Sequence, residues 1–176
     1  LQSQKDVEKF SKAEPIIIKN PLSQDMAFIR NSIIPGLLKA ADYNAKRQEK
    51  GFKLFEIGAV HNQSKKSDTG SKEKFQLGIL WYGKEQPHWR SYQHRDIFSS
   101  KGEIINMLGL IGINAISFKL DDHLGYTVAM KIYSGKTQIG TLGSLDLVIV
   151  KEYGLKISPI FCEISIQTLR EIWANR

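Results

Sequence analysis

One cysteine stands in 176 residues, so no internal disulfide is available. Cys162 lies mid-run in apolar text, where a free cysteine packs as a small hydrophobe far more often than it serves as a nucleophile. A chain with no disulfide framework fits a reducing, cytoplasmic setting. The four histidines, His61, His88, His94 and His123, are scattered, and neither CxxC nor HExxH occurs, which removes the common zinc patterns. P-loop, GxGxxG and GxSxG motifs are also absent. Five prolines and fourteen glycines are too few for a collagen or a mucin-like stalk. No run approaches the roughly 18 uncharged apolar residues that a membrane span requires, so no membrane partner is expected. The opening LQSQKDVEKF carries charge where a secretory signal keeps its apolar centre. Beginning at Leu1 rather than Met, the chain reads as a piece of a longer polypeptide.

What is present is an ordinary globular composition, 41% hydrophobic and 24% charged. A chain of this length buries roughly 70% of the surface it exposes when unfolded, enough for a core without metal or disulfide staples. The formal net charge is +7 and the sequence pI about 9.4, which raises the prospect of a phosphate-bearing partner. One basic cluster comprises Lys46, Arg47, Lys50 and Lys53, and a second Lys65, Lys66, Lys72 and Lys74. Such runs are usually solvated faces. The first also falls at a helix end, where the dipole favours cations. RNA contact through Lys46, Arg47 and Lys50 is the alternative reading of that cluster.

Residues 1–14 read as a polar lead-in or linker, closed by Glu14-Pro15, and 15–176 as one domain. Ile16-Ile17-Ile18 suggests a brief buried strand ending at Asn20-Pro21. Ser23 is placed to cap a helical turn running towards Ile29-Arg30. Ile34, Leu37, Leu38, Ala41 and Ala45 form one stripe of a 3.6-residue period, with Pro35 in the first turn. Residues 52–60 form an apolar strand, 61–74 a polar loop, and 75–82 an alternating strand. A second long helix starts at Asp96 and ends at Gly112. Ile116, Phe118 and Leu120 suggest a strand, and Ser134-Gly135-Lys136 joins two more in a hairpin. Ile160, Cys162, Ile164 and Ile166 share a strand face, followed by a helix over 167–173. Adjacent strands with tight connections favour antiparallel pairing, so the fold class expected is α+β: a mainly antiparallel sheet flanked by helices.

Candidate chemistry is thin. His88, Trp89, Arg90, His94 and Asp96 could be assembled into an acid–base site, but nothing in their spacing fixes a geometry. Asp121-Asp122 beside His123 reads as a turn or strand end, since adjacent strand residues face opposite ways. Arg30 and Glu56 each sit inside apolar text, where a buried charge needs a partner. Pairing of Arg30 with Glu56 in a structural ion pair is the expectation.

Several phrases in series resemble one family. Asn20-Pro21-Leu22-Ser23, then Ile29-Arg30-Asn31-Ser32-Ile33-Ile34-Pro35-Gly36-Leu37-Leu38, Asn44 and Leu54-Phe55-Glu56-Ile57-Gly58 are similar to the NPLS…LRxSLLPGLL…N…LFEIG series of the bacterial phenylalanyl-tRNA synthetase beta subunits. Trp89, Asp96-Ile97-Phe98 and Lys101-Gly102-Glu103 resemble its W…DFFDLKG segment, and Ile139-Gly140-Thr141-Leu142-Gly143 its IGxLG hairpin. The resemblance covers roughly residues 15–170, in order. Leu124 departs from the family's H-x-P-G stretch, and Ser144-Leu145-Asp146 lacks its His-Pro.

The resemblance implies a class II aminoacyl-tRNA synthetase-like sheet forming a partial, catalytic-like module of a larger beta subunit. It implies an alpha-subunit partner that carries the chemistry, in a heterotetramer that joins phenylalanine to its tRNA with ATP and magnesium. For this fragment it implies no catalytic, cofactor-binding or metal residues and no activity alone. A working site needs an arginine on a strand–loop–strand, and the matching strand, Leu54 to His61, has none. A GxGxER junction would fall on Glu163, Ser165, Gln167 and Thr168, setting a carboxylate where glycine admits the nucleotide. Surfaces severed from the parent are expected to be apolar and to drive self-association. The rival is an autonomous basic RNA-binding module using Lys46, Arg47, Lys50, Trp89 and Tyr92.

Overall fold

Two thirteen-residue strands, β3 (Gly51–Gln63) and β4 (Ser71–Gly83), form the longest hairpin of the computed structural model, which describes residues 1–47, 51–84 and 96–175. Register runs unbroken from Gly51 opposite Gly83 to Gln63 opposite Ser71. The polar stretch 61–74, expected as a loop, is therefore half strand, with 61–63 in β3 and 71–74 in β4. Only residues 64–70 turn, because polar side chains alternate to solvent as readily as apolar ones alternate inward. Four further strands complete the sheet: β5 (Ile116–Asp121), β6 (Tyr126–Ser134), β7 (Thr137–Leu145) and β8 (Ile160–Ser165). The order is β3-β4-β8-β7-β6-β5, with every pair antiparallel. The β6–β7 turn uses Gly135 at φ 58°, a conformation that costs glycine nothing.

Among the described residues, five α-helices accompany this sheet. They are α1 (Gln4–Lys9), α2 (Ile34–Lys46), α3 (Ile97–Leu110), α4 (Leu147–Lys151) and α5 (Ile166–Ala174). Each start has a local cause. Ser3 and Asp6 form a capping box on α1, Asp96 accepts from Ser99 N–H at 2.7 Å on α3, and Ser165 accepts from Thr168 N–H on α5. The short α4, not foreseen, is nucleated by Asp146, which accepts from Val148 and Ile149 N–H. Its apolar LVIV text reads equally well as strand, so the cap decided it.

Alternation divides the sheet's residues between two cores. On the back face, Ile104 and Leu108 of α3 and Leu169 of α5 cover Trp81, Ile132, Leu142, Ile160, Cys162 and Ile164. On the front face, Ile34, Leu37, Leu38 and Ala41 of α2, with Val150 of α4, cover Leu80, Tyr82, Leu145 and Phe161. Segment 1–14, read as a lead-in, delivers Val7 and Phe10 to the interior, and Phe10 joins the front core. A separate two-stranded ribbon pairs β1 (Ile16–Ile17) with β2 (Phe28–Ile29). Here two expectations need correction. Ile17 is 68% exposed, because a ribbon on the surface buries one face only. The turn capped by Ser23 spans just Gln24–Met26 as 3-10 helix before the chain extends into β2, and Ser23 makes no side-chain cap bond.

Candidate functional site

The front face narrows over β3, β4 and β8, where four residues set what the surface can hold: Glu56, Gly58, Gly78 and Glu163. Glu56 and Gly58 lie on the α2 side of β3, and Gly78 lies opposite both Glu56 on β3 and Glu163 on β8. Arg30, just after β2, reaches over the hairpin. Its Nη1 donates to Glu56 Oε1, and its Nε donates to the Ala59 carbonyl at 2.6 Å. The Arg30 carbonyl in turn accepts from His61 N–H at 2.9 Å. The structure thus brings together the two embedded charges singled out in the sequence. It does so across 26 residues, with each side chain about one-third exposed.

The two glycines admit the chain's own side chains, not a ligand. A Cβ on Gly58 would sit 2.2 Å from Arg30 Nη2, and one on Gly78 3.0 Å from Leu37 Cδ1 and 3.1 Å from Phe161 Cζ. A surface where glycine leaves room is filled here by a guanidinium and by the first turns of α2. No arginine occurs on β3 or β4 to grip a phosphate. Strand β8 passes directly into α5 at Ser165, the strand–helix junction that the resemblance implies.

Glu163 stands at that junction with its Oε1 buried and unpartnered, and Tyr126 Oη and Gln76 Oε1 are in the same condition among the described residues. Thr141 on β7 pairs opposite Glu163, and Gln76 lies two pairs along β4 opposite Ser165. Burial disfavours the carboxylate and pushes the Glu163 pKa up to about 7, with Lys74 pulling weakly the other way. Burial and the nearby Glu163 raise Tyr126 well above the ordinary phenol range. Nothing local in the sequence marks Tyr126 or Gln76, because each is buried only by the assembly of the sheet.

The remaining sequence candidates are dispersed. Lys46 is held by Asp42 at 2.6 Å, and Arg47 lies 4.1 Å over the Tyr43 ring. Lys50, His88, Trp89, Arg90, Tyr92 and His94 lie outside the described residues. Asp121 binds Lys131 at 2.8 Å, with Asp122 and His123 following the end of β5. Burial keeps the His123 pKa low despite Asp121. Cys162 is buried in the back core, which raises its pKa well above that of a free thiol. Among the described residues no group of three or more His, Cys, Asp or Glu could hold a metal ion. No helix there is long and apolar enough to cross a membrane.

The phenylalanyl tRNA synthetase beta chain CLM domain matches residues 1–166. The chain belongs to the phenylalanyl-tRNA synthetase beta chain family. It is 34% identical over 156 residues to the phenylalanine–tRNA ligase beta subunit of Geobacillus kaustophilus, covering 85% of this chain and 19% of that one. The Carboxydothermus hydrogenoformans subunit is 29% identical over 161 residues, covering 89% of this chain and 20% of its own. The chain therefore spans about a fifth of the length of the curated relatives it matches. In fold it is similar to pyrrolysyl-tRNA synthetase from Desulfitobacterium hafniense. The TM-score is 0.67 at 11% identity, over 92% of this chain and 54% of that structure. The α+β, class II synthetase-like architecture expected from the resemblance is the one observed.

Proposed function

We infer that this member of the beta chain family is a non-catalytic structural module of a phenylalanine–tRNA ligase beta subunit. It works in a cytoplasmic assembly whose alpha subunit performs ATP- and magnesium-dependent aminoacylation of tRNA. The observation that carries this reading is the state of the front face: the chain's own Arg30, Ile33, Leu37 and Phe161 fill the ground over Gly58 and Gly78. Arg30, which could have served an anion, is already engaged by Glu56. At the β8–α5 junction Glu163 adds a side chain and, when ionised, a negative charge that repels phosphate. Losing charge-assisted phosphate bonds and adding that repulsion together cost several kcal/mol, enough to abolish useful ATP affinity.

What remains is shape. The sheet's front layer is packed, and its apolar patches serve assembly. A groove of about 380 Å³ on the back face is lined by Phe55, Ile57, Leu77, Ile79, Trp81 and Met107, with Phe55 73% and Ile57 60% exposed. Exposed apolar surface of this kind fits contact with another part of the parent assembly, and in the isolated piece it drives self-association. The deciding experiment is co-expression of the full-length parent with a candidate alpha subunit. Aminoacylation by the pair, with neither chain active alone, supports the reading. Pyrophosphate exchange by the beta chain alone, or saturable millimolar ATP binding to this module in calorimetry, overturns it.

A further inference from the structure

Three lysines distant in sequence converge on one groove. Lys46 ends α2, Lys84 follows β4, and Lys156 lies between α4 and β8; together with Tyr82 they line a space of about 630 Å³. Asp42, the only carboxylate in the lining among the described residues, is paired through one oxygen. Its Oδ2 accepts from Lys46 at 2.6 Å, and its Oδ1 is buried against Gly154, where an added Cβ would approach within 2.4 Å. Lys46 thus has a local explanation as an i,i+4 partner at a helix end. Lys84 and Lys156 have none: both are exposed, and neither has an ion-pair partner among the described residues. Two lysines from different elements on one groove, beside an acid already paired with Lys46, leave its described lining net positive.

The neighbouring face of α2 adds a second feature. Arg47 stacks 4.1 Å over Tyr43, which is 56% exposed, so a planar guanidinium–phenol pair stands in solvent within one residue of the groove wall. An acidic peptide has use for the lysines but not for a stacking platform. A nucleic acid has use for both, phosphates on the ammonium groups and a base on the flat pair. We propose that this groove binds single-stranded RNA, with Lys84 and Lys156 contacting phosphates and the Arg47–Tyr43 pair receiving a base. The site is separate from the front face and does not depend on the synthetase reading.

The test is fluorescence anisotropy of the chain with a fluorescein-labelled 12-nucleotide single-stranded RNA at low salt. Lys84→Glu with Lys156→Glu is the altered pair. Lys65→Glu with Lys66→Glu is the control, equal in charge change but in the β3–β4 turn, at the far end of a hairpin about 40 Å long. The groove pair is expected to weaken binding at least about tenfold and to flatten the salt dependence by about one to two in log–log slope. The turn pair is expected to change affinity less than about threefold. Tyr43→Ala is expected to weaken RNA binding several-fold while leaving poly-L-glutamate binding unchanged. Unchanged melting temperatures guard against a folding artefact. Equal losses in the two charge-reversed pairs, equal competition by poly-L-glutamate and RNA, or no saturable RNA binding each overturn the proposal.

Discussion

Tyr153 donates its phenolic hydrogen to Asp6 Oδ1 across 2.7 Å, tying the end of α4 to α1 over 147 residues of chain. The other oxygen, Oδ2, accepts from Lys39 Nζ of α2 at 2.7 Å. One carboxylate thus joins three helices of the front layer. Burial opposes ionisation of Asp6, but the hydrogen bonds from Lys39 and Tyr153 outweigh it and hold the pKa below the ordinary carboxyl range.

A depressed carboxyl pKa contributes stability above the unfolded value and loses it as pH falls through the folded value. Tyr153→Phe is therefore expected to cost about 1–2 kcal/mol at neutral pH. Asp6→Asn is expected to cost a similar amount, with the gap from wild type closing as acid protonates Asp6. Urea unfolding at pH 7 and at pH 3 checks both; a gap that persists unchanged at low pH means the carboxylate charge is not the tie.

Glu163 acts with the opposite sign. Its folded pKa of about 7 lies above the ordinary 4.5, so the folded state holds the proton more tightly than the unfolded chain does. Wild-type stability is penalised progressively as pH rises from about 4.5 to 7. Glu163→Gln is expected to remove that penalty, gaining on the order of 3 kcal/mol at pH 8 and little at pH 4. Thermal melts of both proteins across this range provide the measurement. Parallel curves sink the assignment.

Arg30 is expected to matter through both of its contacts. Arg30→Ala removes the Glu56 ion pair and the donor to the Ala59 carbonyl, at a cost of about 1–3 kcal/mol. Glu56→Gln costs less, because a neutral amide still accepts a hydrogen bond. A double-mutant cycle between Arg30→Ala and Glu56→Ala isolates the pair itself, and a coupling near zero leaves the Ala59 bond as the sole contribution.

Phe55 and Ile57 stand in the open on β3, so their replacement costs the fold little. The self-association proposed for this chain is expected to be lost in Phe55→Lys with Ile57→Lys, leaving a monomer at tens of micromolar concentration. Sedimentation velocity over a concentration series decides it. Association undiminished in the variant places the contact elsewhere.

Local structure was legible in the sequence wherever one chain segment carried its own cause. The stripe Ile34, Leu37, Leu38, Ala41 described α2, and Asp96 announced the start of α3. Ser134-Gly135-Lys136 marked the β6–β7 hairpin, and alternation through Ile160, Cys162 and Ile164 put β8 on the back core. Periodicity misjudged segments whose fate hangs on a neighbour. Residues 71–74 extend a strand because β3 is there to pair with them, and Leu147–Lys151 is helical because Asp146 caps it.

The sequence by itself determined the alternation of apolar and polar faces, the caps and the turns, and hence an α+β chain with an antiparallel sheet. Those follow from backbone sterics and side-chain period acting over a few residues. Only the tertiary structure decided what covers each face. It laid Leu37 against Gly78, turned Arg30 back onto Glu56, and left Glu163 Oε1 without a hydrogen-bond partner among the described residues. It also drew Lys84 and Lys156 to the groove beside Lys46. Such juxtapositions join residues tens of positions apart, and they are selected by close packing of the whole chain, which no local pattern encodes.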